Sequence, residues 1–303
     1  MEERVDQIIR ILKEKKIKYR EDEKLSSYCT FGIGGECDLL VIARSANCIS
    51  QTIKLANKYG VKWMALGKGS NVLFDDNGYR GIIILVGEEF SNYKVEGTTI
   101  TASAGISLRD LADVALEHSL EGFEFAGDIP GTLGGAIIMN AGAYGGEMKH
   151  VVKEVRMLDK EGNTVVYTND EMDFSYRDSN AQRKGYIVFE VVIELKKGNK
   201  KDISDNRIVF NQRRADKQPL ELPSAGSTFK RPEGYYAGKL IQDSGLRGVK
   251  FGGAQVSDKH TGFIVNTANA KSSDVKTLIK IIQKRVLEEF GVELQTELKI
   301  IEE

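Results

Sequence analysis

The chain has 303 residues, 41% hydrophobic and 29% charged, with 43 Lys and Arg against 44 Asp and Glu. That length suits two domains or three with a sizeable core, and the composition is ordinary for a globular protein. A formal net charge of −1 offers no general attraction for nucleic acid or an anionic membrane surface, and no apolar run approaches membrane-spanning length. The three cysteines, Cys29, Cys37 and Cys48, are an odd number without metal-ligand spacing. They favour a reducing, cytoplasmic setting and no bound metal.

Val5, Ile8, Ile9 and Leu12 recur at helical spacing and predict an amphipathic helix over 3–16 rather than an apolar signal segment. Thr30-Phe31-Gly32-Ile33-Gly34-Gly35 reads as a glycine turn into a strand over 38–43. Residues 46–59 read as a helix closed by Gly60. A short apolar strand over 61–66 then delivers Gly67-Lys68-Gly69-Ser70-Asn71. This is not a Walker A loop, because Gly69 separates Gly67-Lys68 from Ser70. Nor is it a dinucleotide fingerprint, because Val72 stands where the third glycine belongs. Two readings stay open: a backbone cradle for a pyrophosphate, or a plain turn.

Residues 81–85 read as a central strand buried on both faces, and 98–104 as an alternating strand. Ser107 lies three residues before Asp110, an N-cap signal, with Leu108, Leu111, Ala112 and Ala115 on one helical stripe. The stretch 127–146 follows, with seven glycines in twenty residues. Its core is Gly131-Thr132-Leu133-Gly134-Gly135-Ala136, after Ile129-Pro130. Backbone so bare is expected where something approaches closely. It either turns N–H groups towards an anion, as at a helix N-terminus, or lets packed elements cross tightly.

Residues 151–158 and 164–167 flank Lys160-Glu161-Gly162-Asn163, a hairpin signal, and 186–195 read as a long strand. A polar loop over 174–179 carries Arg177. Composition shifts at the lysine-rich stretch 196–201, where a domain boundary is placed. Arg207, Arg213, Arg214 and Lys217 then mark either a solvated helix face or an anion site facing the first domain. A second glycine and serine turn spans 222–232, now with cations. Residues 237–244 read as a helix, and 252–257 and 262–266 as strands. Ser273 is the candidate cap of a long helix with Val275, Leu278, Ile279, Ile282 and Val286 on one face, ended by Gly291. The last strand alternates over 292–300, which on pattern alone leaves Glu293 and Glu297 as solvated carboxylates.

Together these stretches resemble one family, UDP-N-acetylenolpyruvoylglucosamine reductase. The resemblance is carried by 30–35, 67–71, 129–145, 176–179, 214–219, 224–230, 245–257 and Glu297, in the family's order and over nearly the whole chain. It implies an α+β fold. Residues 1–200 would form a two-lobed FAD-binding domain of the vanillyl-alcohol-oxidase type, with lobes at positions 1–80 and 81–200, approximately. Residues 201–303 would form a smaller α+β substrate-binding domain. By the same resemblance, Gly67, Lys68, Gly69, Ser70 and Asn71 wrap the FAD pyrophosphate. Gly131, Gly134, Gly135 and Ala136 approach the flavin, and Arg214 lies near the cofactor.

The implied reaction is the NADPH-dependent, FAD-mediated reduction of UDP-N-acetylglucosamine enolpyruvate to UDP-N-acetylmuramate, in cytoplasmic peptidoglycan precursor synthesis. No nucleic acid, membrane or obligate protein partner is expected. The resemblance makes Ser227 the proton donor, with Arg177 and Glu297 gripping and polarising the substrate carboxylate. Lys217 matches a pyrophosphate contact, and Lys230, Asn140, Arg247 and His260 complete the candidate substrate set. Gly32 and Lys68 depart from the family's usual residues. Only six residues separate Arg231 from Gly238, too few for the inserted tyrosine loop of one class of the family, so the chain resembles the second class. Two other readings are a flavin oxidase of the same fold and a nucleotide-sugar-binding module without redox chemistry.

Overall fold

Residues 2–302 are described by the computed structural model. In the first of its two units, local signals act where they stand. Helix α1 (Glu2–Glu14) buries Val5, Ile8, Ile9 and Leu12. Helix α2 (Ala46–Tyr59) starts where the Ser45 hydroxyl accepts the Cys48 N–H, and ends at Gly60, whose φ of +63° suits a residue without Cβ. A four-stranded sheet has the order Tyr19–Lys24, Glu36–Ile42, Tyr79–Leu85, Trp63–Leu66. Its last two strands are parallel, and Ile82, Ile83 and Ile84 are fully buried, as a strand covered on both faces requires.

A five-stranded antiparallel sheet has the order Thr164–Thr168, Val152–Leu158, Ile187–Glu194, Thr99–Ser103, Tyr93–Glu96. The Asp159 carboxylate accepts the N–H groups of Glu161 and Asn163 and so closes the expected hairpin. Helix α3 (Leu108–Glu117) begins as expected, with Ser107 accepting the Asp110 N–H. Helices α4 (Leu133–Ile138), α5 (Asn180–Lys184) and α6 (Lys200–Lys217) follow. On α6, Arg207 pairs with Asp113 at 2.7 Å and donates to the Ala112 carbonyl. That arginine binds helix to helix rather than a ligand. Strands Tyr19–Lys24, Val72–Phe74 and Tyr93–Glu96 are additions to the sequence reading; they are short or charged and carry little hydrophobic pattern.

The first unit comprises the chain up to Glu21, Asp38–Lys68 and Gly81–Arg213; the second takes Asp22–Cys37, Gly69–Arg80 and the chain from Arg214 onwards. This differs from a single cut at residue 200. The lysine-rich stretch is itself structured: Lys196–Lys197 pair with Leu120–Glu121, and α6 begins at Lys200.

The second unit holds helix α7 (Ala237–Asp243) and helix α8 (Ser272–Phe290). It also holds an antiparallel sheet of Lys250–Phe251, Ala254–Val256 and Ile264–Asn266. Phe31, Leu73, Phe229, Ile241, Leu278 and Ile282 are among the residues of its core. The long closing strand is shorter than the alternation predicts. Only Lys299–Ile301 pairs, in parallel with Val72–Phe74. Residues 292–298 are otherwise irregular, apart from one bridge between Thr296 and Phe229. Leu294 and Leu298 are nevertheless buried.

Ser273 is not the cap of α8. The helix starts at Ser272, and its first N–H groups go to a remote carboxylate: Asp76 accepts from Ser272 N–H at 2.8 Å, Ser273 N–H at 3.3 Å and the Ser272 hydroxyl at 2.9 Å. An anion at a helix N-terminus also meets the positive end of the helix dipole. Asp76→Ala is therefore expected to lower stability by about 1–2 kcal/mol, the upper part of the range for a lost cap. Urea unfolding midpoints read this directly, and an unchanged midpoint would show that water replaces the cap at no cost.

Candidate active site

In the first unit, the candidate residues gather around α4. Thr132 caps that helix, and its hydroxyl accepts the Gly135 N–H at 3.4 Å. The other donors of the first turn are spent inside the unit. Leu133 N–H goes to the Ile106 carbonyl and Gly134 N–H to the Ala104 carbonyl, both at 2.9 Å. The anion reading of this helix N-terminus therefore does not hold, and the tight-crossing reading does. A Cβ on Gly134 would lie 2.9 Å from the Ala104 Cβ, and one on Gly67 would lie 2.4 Å from the Thr132 hydroxyl. Gly134 and Ala136 are buried, whereas Gly135 is exposed and Gly131 half-buried. The stretch thus offers bare backbone for contact, not a nest of free N–H groups.

Arg177 lies at the tip of a tight turn. Ser175 and Asp178 exchange both backbone hydrogen bonds, and Arg177 takes φ +56°, where Gly or Asn is usual. An arginine held in that region is a strained placement that the surroundings must enforce. Its guanidinium lies 5.0 Å from the centre of the Tyr176 ring and donates weakly to the Gly142 carbonyl at 3.4 Å. Asn140, expected among substrate-binding residues, is 1% exposed with its amide committed to protein partners, so it does not face a ligand.

In the second unit, a backbone ladder ties the segment that carries Ser227 to the segment that carries Glu297. Buried Thr228 donates its N–H to the Gly262 carbonyl at 2.8 Å, and its carbonyl accepts the Glu297 N–H at 2.9 Å. Its hydroxyl accepts the Ile264 N–H at 3.1 Å. Lys230 N–H meets the Gln295 carbonyl at 2.8 Å. Glu297 is half-buried rather than a solvated carboxylate. Sequence reasoning passed over Thr228, because its partners lie at 262, 264 and 297 and no local pattern reports them. It passed over Thr30 likewise, whose hydroxyl donates to the Ser224 carbonyl at 2.6 Å and steadies the serine turn.

Asn71 joins the same ladder. Its side-chain amide donates to the Glu297 carbonyl at 3.2 Å, and its own carbonyl accepts the Lys299 N–H at 3.0 Å. The Gly69 carbonyl accepts the Thr30 N–H, and a Cβ on Gly69 would lie 2.2 Å from the Tyr28 carbonyl. A trans peptide holds its C=O and N–H in opposite directions, so the Ser70 N–H points away from that contact. Lys68 beside it is exposed. Bare backbone at 67 and 69 with a lysine between them is, in kind, the chemistry a pyrophosphate takes.

Arg214 and Lys217 end α6, where the Arg214 guanidinium donates to the Gln218 side chain at 2.9 Å. Lys259 reaches the Ala215 carbonyl at 2.6 Å, a cation at a helix C-terminus. Next to it His260 is half-buried, with its ring 4.8 Å from that of Phe263. Burial pushes its pKa down, and Lys217 adds repulsion. The Gly262 N–H donates to His260 Nδ1 at 3.1 Å, so the neutral ring carries its proton on Nε2. Arg247 is committed to the Asp258 carbonyl and the Gln242 side chain, an arrangement that stitches 242–258 together.

Comparison with known proteins gives the family. The chain matches the family model for the C-terminal domain of UDP-N-acetylenolpyruvoylglucosamine reductase over residues 218–301, and that for an FAD binding domain over 37–168. It is 50% identical to the UDP-N-acetylenolpyruvoylglucosamine reductase of Caldanaerobacter subterraneus over 99% of this chain and 98% of the relative. It is 44% identical to that of Clostridioides difficile over 98% and 97%. The solved structure of the Thermus caldophilus enzyme superposes with a TM-score of 0.80 at 33% identity, over 94% of this chain and 98% of that one. Full-length similarity at this level, with both domain models in place, makes this α+β chain a member of the UDP-N-acetylenolpyruvoylglucosamine reductase family and an FAD-dependent oxidoreductase.

Proposed function

We propose that the chain reduces UDP-N-acetylglucosamine enolpyruvate to UDP-N-acetylmuramate with NADPH, in the cytoplasmic synthesis of peptidoglycan precursors. The observation that supports this most is the Thr228 ladder, whose backbone hydrogen bonds join the segment that carries Ser227 to the one that carries Glu297. Bound FAD would supply the chemistry that protein side chains lack, accepting a hydride from NADPH and delivering it to C3 of the enolpyruvyl double bond. It would be held by residues 67–71, Gly131, Gly135 and Arg214, with Gly134 and Ala136 supporting them from the packed side. The first unit would be the cofactor-binding domain and the second the substrate-binding domain.

Hydride addition at C3 leaves negative charge spread over C2 and the carboxylate. Arg177 grips that carboxylate with a guanidinium that is always charged and can bond both oxygens. Glu297, if protonated beside the carboxylate, donates a hydrogen bond as the enolate forms. Ser227 delivers the proton to C2, and Lys230 lowers the cost of its transient negative charge. Lys217 and neutral His260 serve the diphosphate and sugar end.

Purified protein is expected to be yellow, to bleach with NADPH, and to recover its colour when the enolpyruvyl substrate is added without oxygen. Because one cleft serves both hydride donor and acceptor in this reading, steady-state kinetics should be ping-pong with inhibition at high substrate. Intersecting initial-rate lines without such inhibition would sink the shared cleft.

A further inference from the structure

Asn140 uses both amide donors and its side-chain oxygen in hydrogen bonds. Its amide nitrogen donates to Glu147 Oε2 at 2.8 Å and to the Ser175 carbonyl at 3.0 Å, and its oxygen accepts the Lys149 N–H at 3.0 Å. The backbone at Asn140 is itself left-handed, with φ +40°, and the residue is 1% exposed. A buried amide with every contact made is stiff, because breaking one leaves an unpaired polar group in the interior.

The Ser175 carbonyl that Asn140 holds belongs to the first residue of the turn bearing Arg177. The far end of that turn is tied as well, through the buried Ser179 hydroxyl, which donates to the Ile138 carbonyl at 2.8 Å. Both ties run to the end of α4 and the residues just after it. The strained φ of Arg177 therefore sits between two fixed points on one short segment, 138–140.

We propose that Asn140 is a positioning residue: it holds the 175–178 turn so that Arg177 keeps its strained conformation, and it acts on the substrate only through that guanidinium. This rests on the reading of Arg177 as the carboxylate grip. It moves Asn140 from contacting the substrate to supporting the residue that does.

Asn140→Asp keeps the volume and the acceptor for Lys149 but removes both donors. Misplacement of a reacting group by about 1 Å costs on the order of a hundredfold, so the half-reaction with the enolpyruvyl substrate should slow by about 10- to 100-fold. Reduction by NADPH should stay within about twofold, since that step needs no carboxylate grip. In an Arg177→Met background the same change should cost less than about threefold, because a residue acting through a missing partner has nothing left to lose. Backbone amide exchange over 175–178 should quicken in Asn140→Asp.

Three results would overturn the proposal: a full-rate variant, an equal cost with and without Arg177, or unchanged exchange at the turn. Should Asn140→Asp fail to fold, Ser179→Ala removes the opposite tie and goes through the same cycle with the same expectations. If the wild-type protein is not reduced by NADPH or not reoxidised by the substrate, the enzymatic reading falls, and the exchange measurement still decides whether Asn140 holds the turn.

Discussion

Ser227→Ala should separate the two half-reactions. Bleaching of the bound flavin by NADPH should proceed at close to the wild-type rate, because it requires no proton at substrate C2. Reoxidation by the enolpyruvyl substrate should slow by at least about a hundredfold, within the usual worth of a positioned general acid. The structure sharpens the expectation. Ser227 is half-buried, and its neighbour Thr228 is bonded through its N–H, its carbonyl and its hydroxyl. Losing one oxygen atom from residue 227 leaves that ladder whole, so the turn keeps its shape. A stopped-flow trace at the flavin absorbance, taken for each half separately, decides the matter. Equal slowing of both halves would mean a displaced flavin, and two unaffected halves would remove Ser227 from the chemistry.

The features legible in the sequence are those whose cause is local. Ser107 caps α3 from three residues away, Gly60 closes α2, and Asp159 folds the hairpin within five residues. Each can be read because both partners lie in one window. The features that escaped have distant partners. The cap of α8 is Asp76, almost two hundred residues before it, so the nearby Ser273 drew the assignment. The first turn of α4 resembles an anion site until Ala104 and Ile106 are seen taking its N–H groups. The lysine cluster at 196–201 resembles a linker because an exposed two-residue strand and the solvated start of α6 share a linker's composition.

The candidate site divides in the same way. Arg177, Ser227 and Glu297 were reached through a family resemblance, not through any pattern of charge or spacing. Alternation alone made Glu297 a solvated carboxylate, whereas the structure leaves it half-buried with its N–H on Thr228. Arg247 and Asn140 show the converse. Their residue types suit a ligand, but their hydrogen bonds go to protein. A side chain's chemistry is readable from sequence; the direction it is spent in is set by neighbours that the sequence does not bring together.

Gly134→Ala should destabilise the protein, and Ala104→Gly should restore much of the loss. The added Cβ would lie 2.9 Å from the Ala104 Cβ, closer than real Cβ atoms come, and 3.3 Å from the Ala104 carbonyl oxygen, tighter than most such contacts. The Gly134 N–H is bonded to that same carbonyl at 2.9 Å, so α4 has little freedom to back away. Overpacking of this kind costs about 1–3 kcal/mol. Ala104→Gly alone should cost about 1 kcal/mol, from the lost methyl burial and added chain freedom. Together the two changes exchange one methyl group across the same contact, so their effects should fall well short of additive. Thermal melts of the flavin-stripped protein measure this without reference to cofactor binding. Gly135→Ala is the contrasting change: that glycine is exposed, with only the Thr132 hydroxyl within 4 Å, at 3.6 Å. It should leave the melt unchanged or raise it slightly, since alanine suits a helix better than glycine, and weaken FAD binding. If Gly134→Ala instead melts like wild type and loses only FAD, the glycine is kept for the cofactor, and its closeness to Ala104 is a contact that the structure can relax.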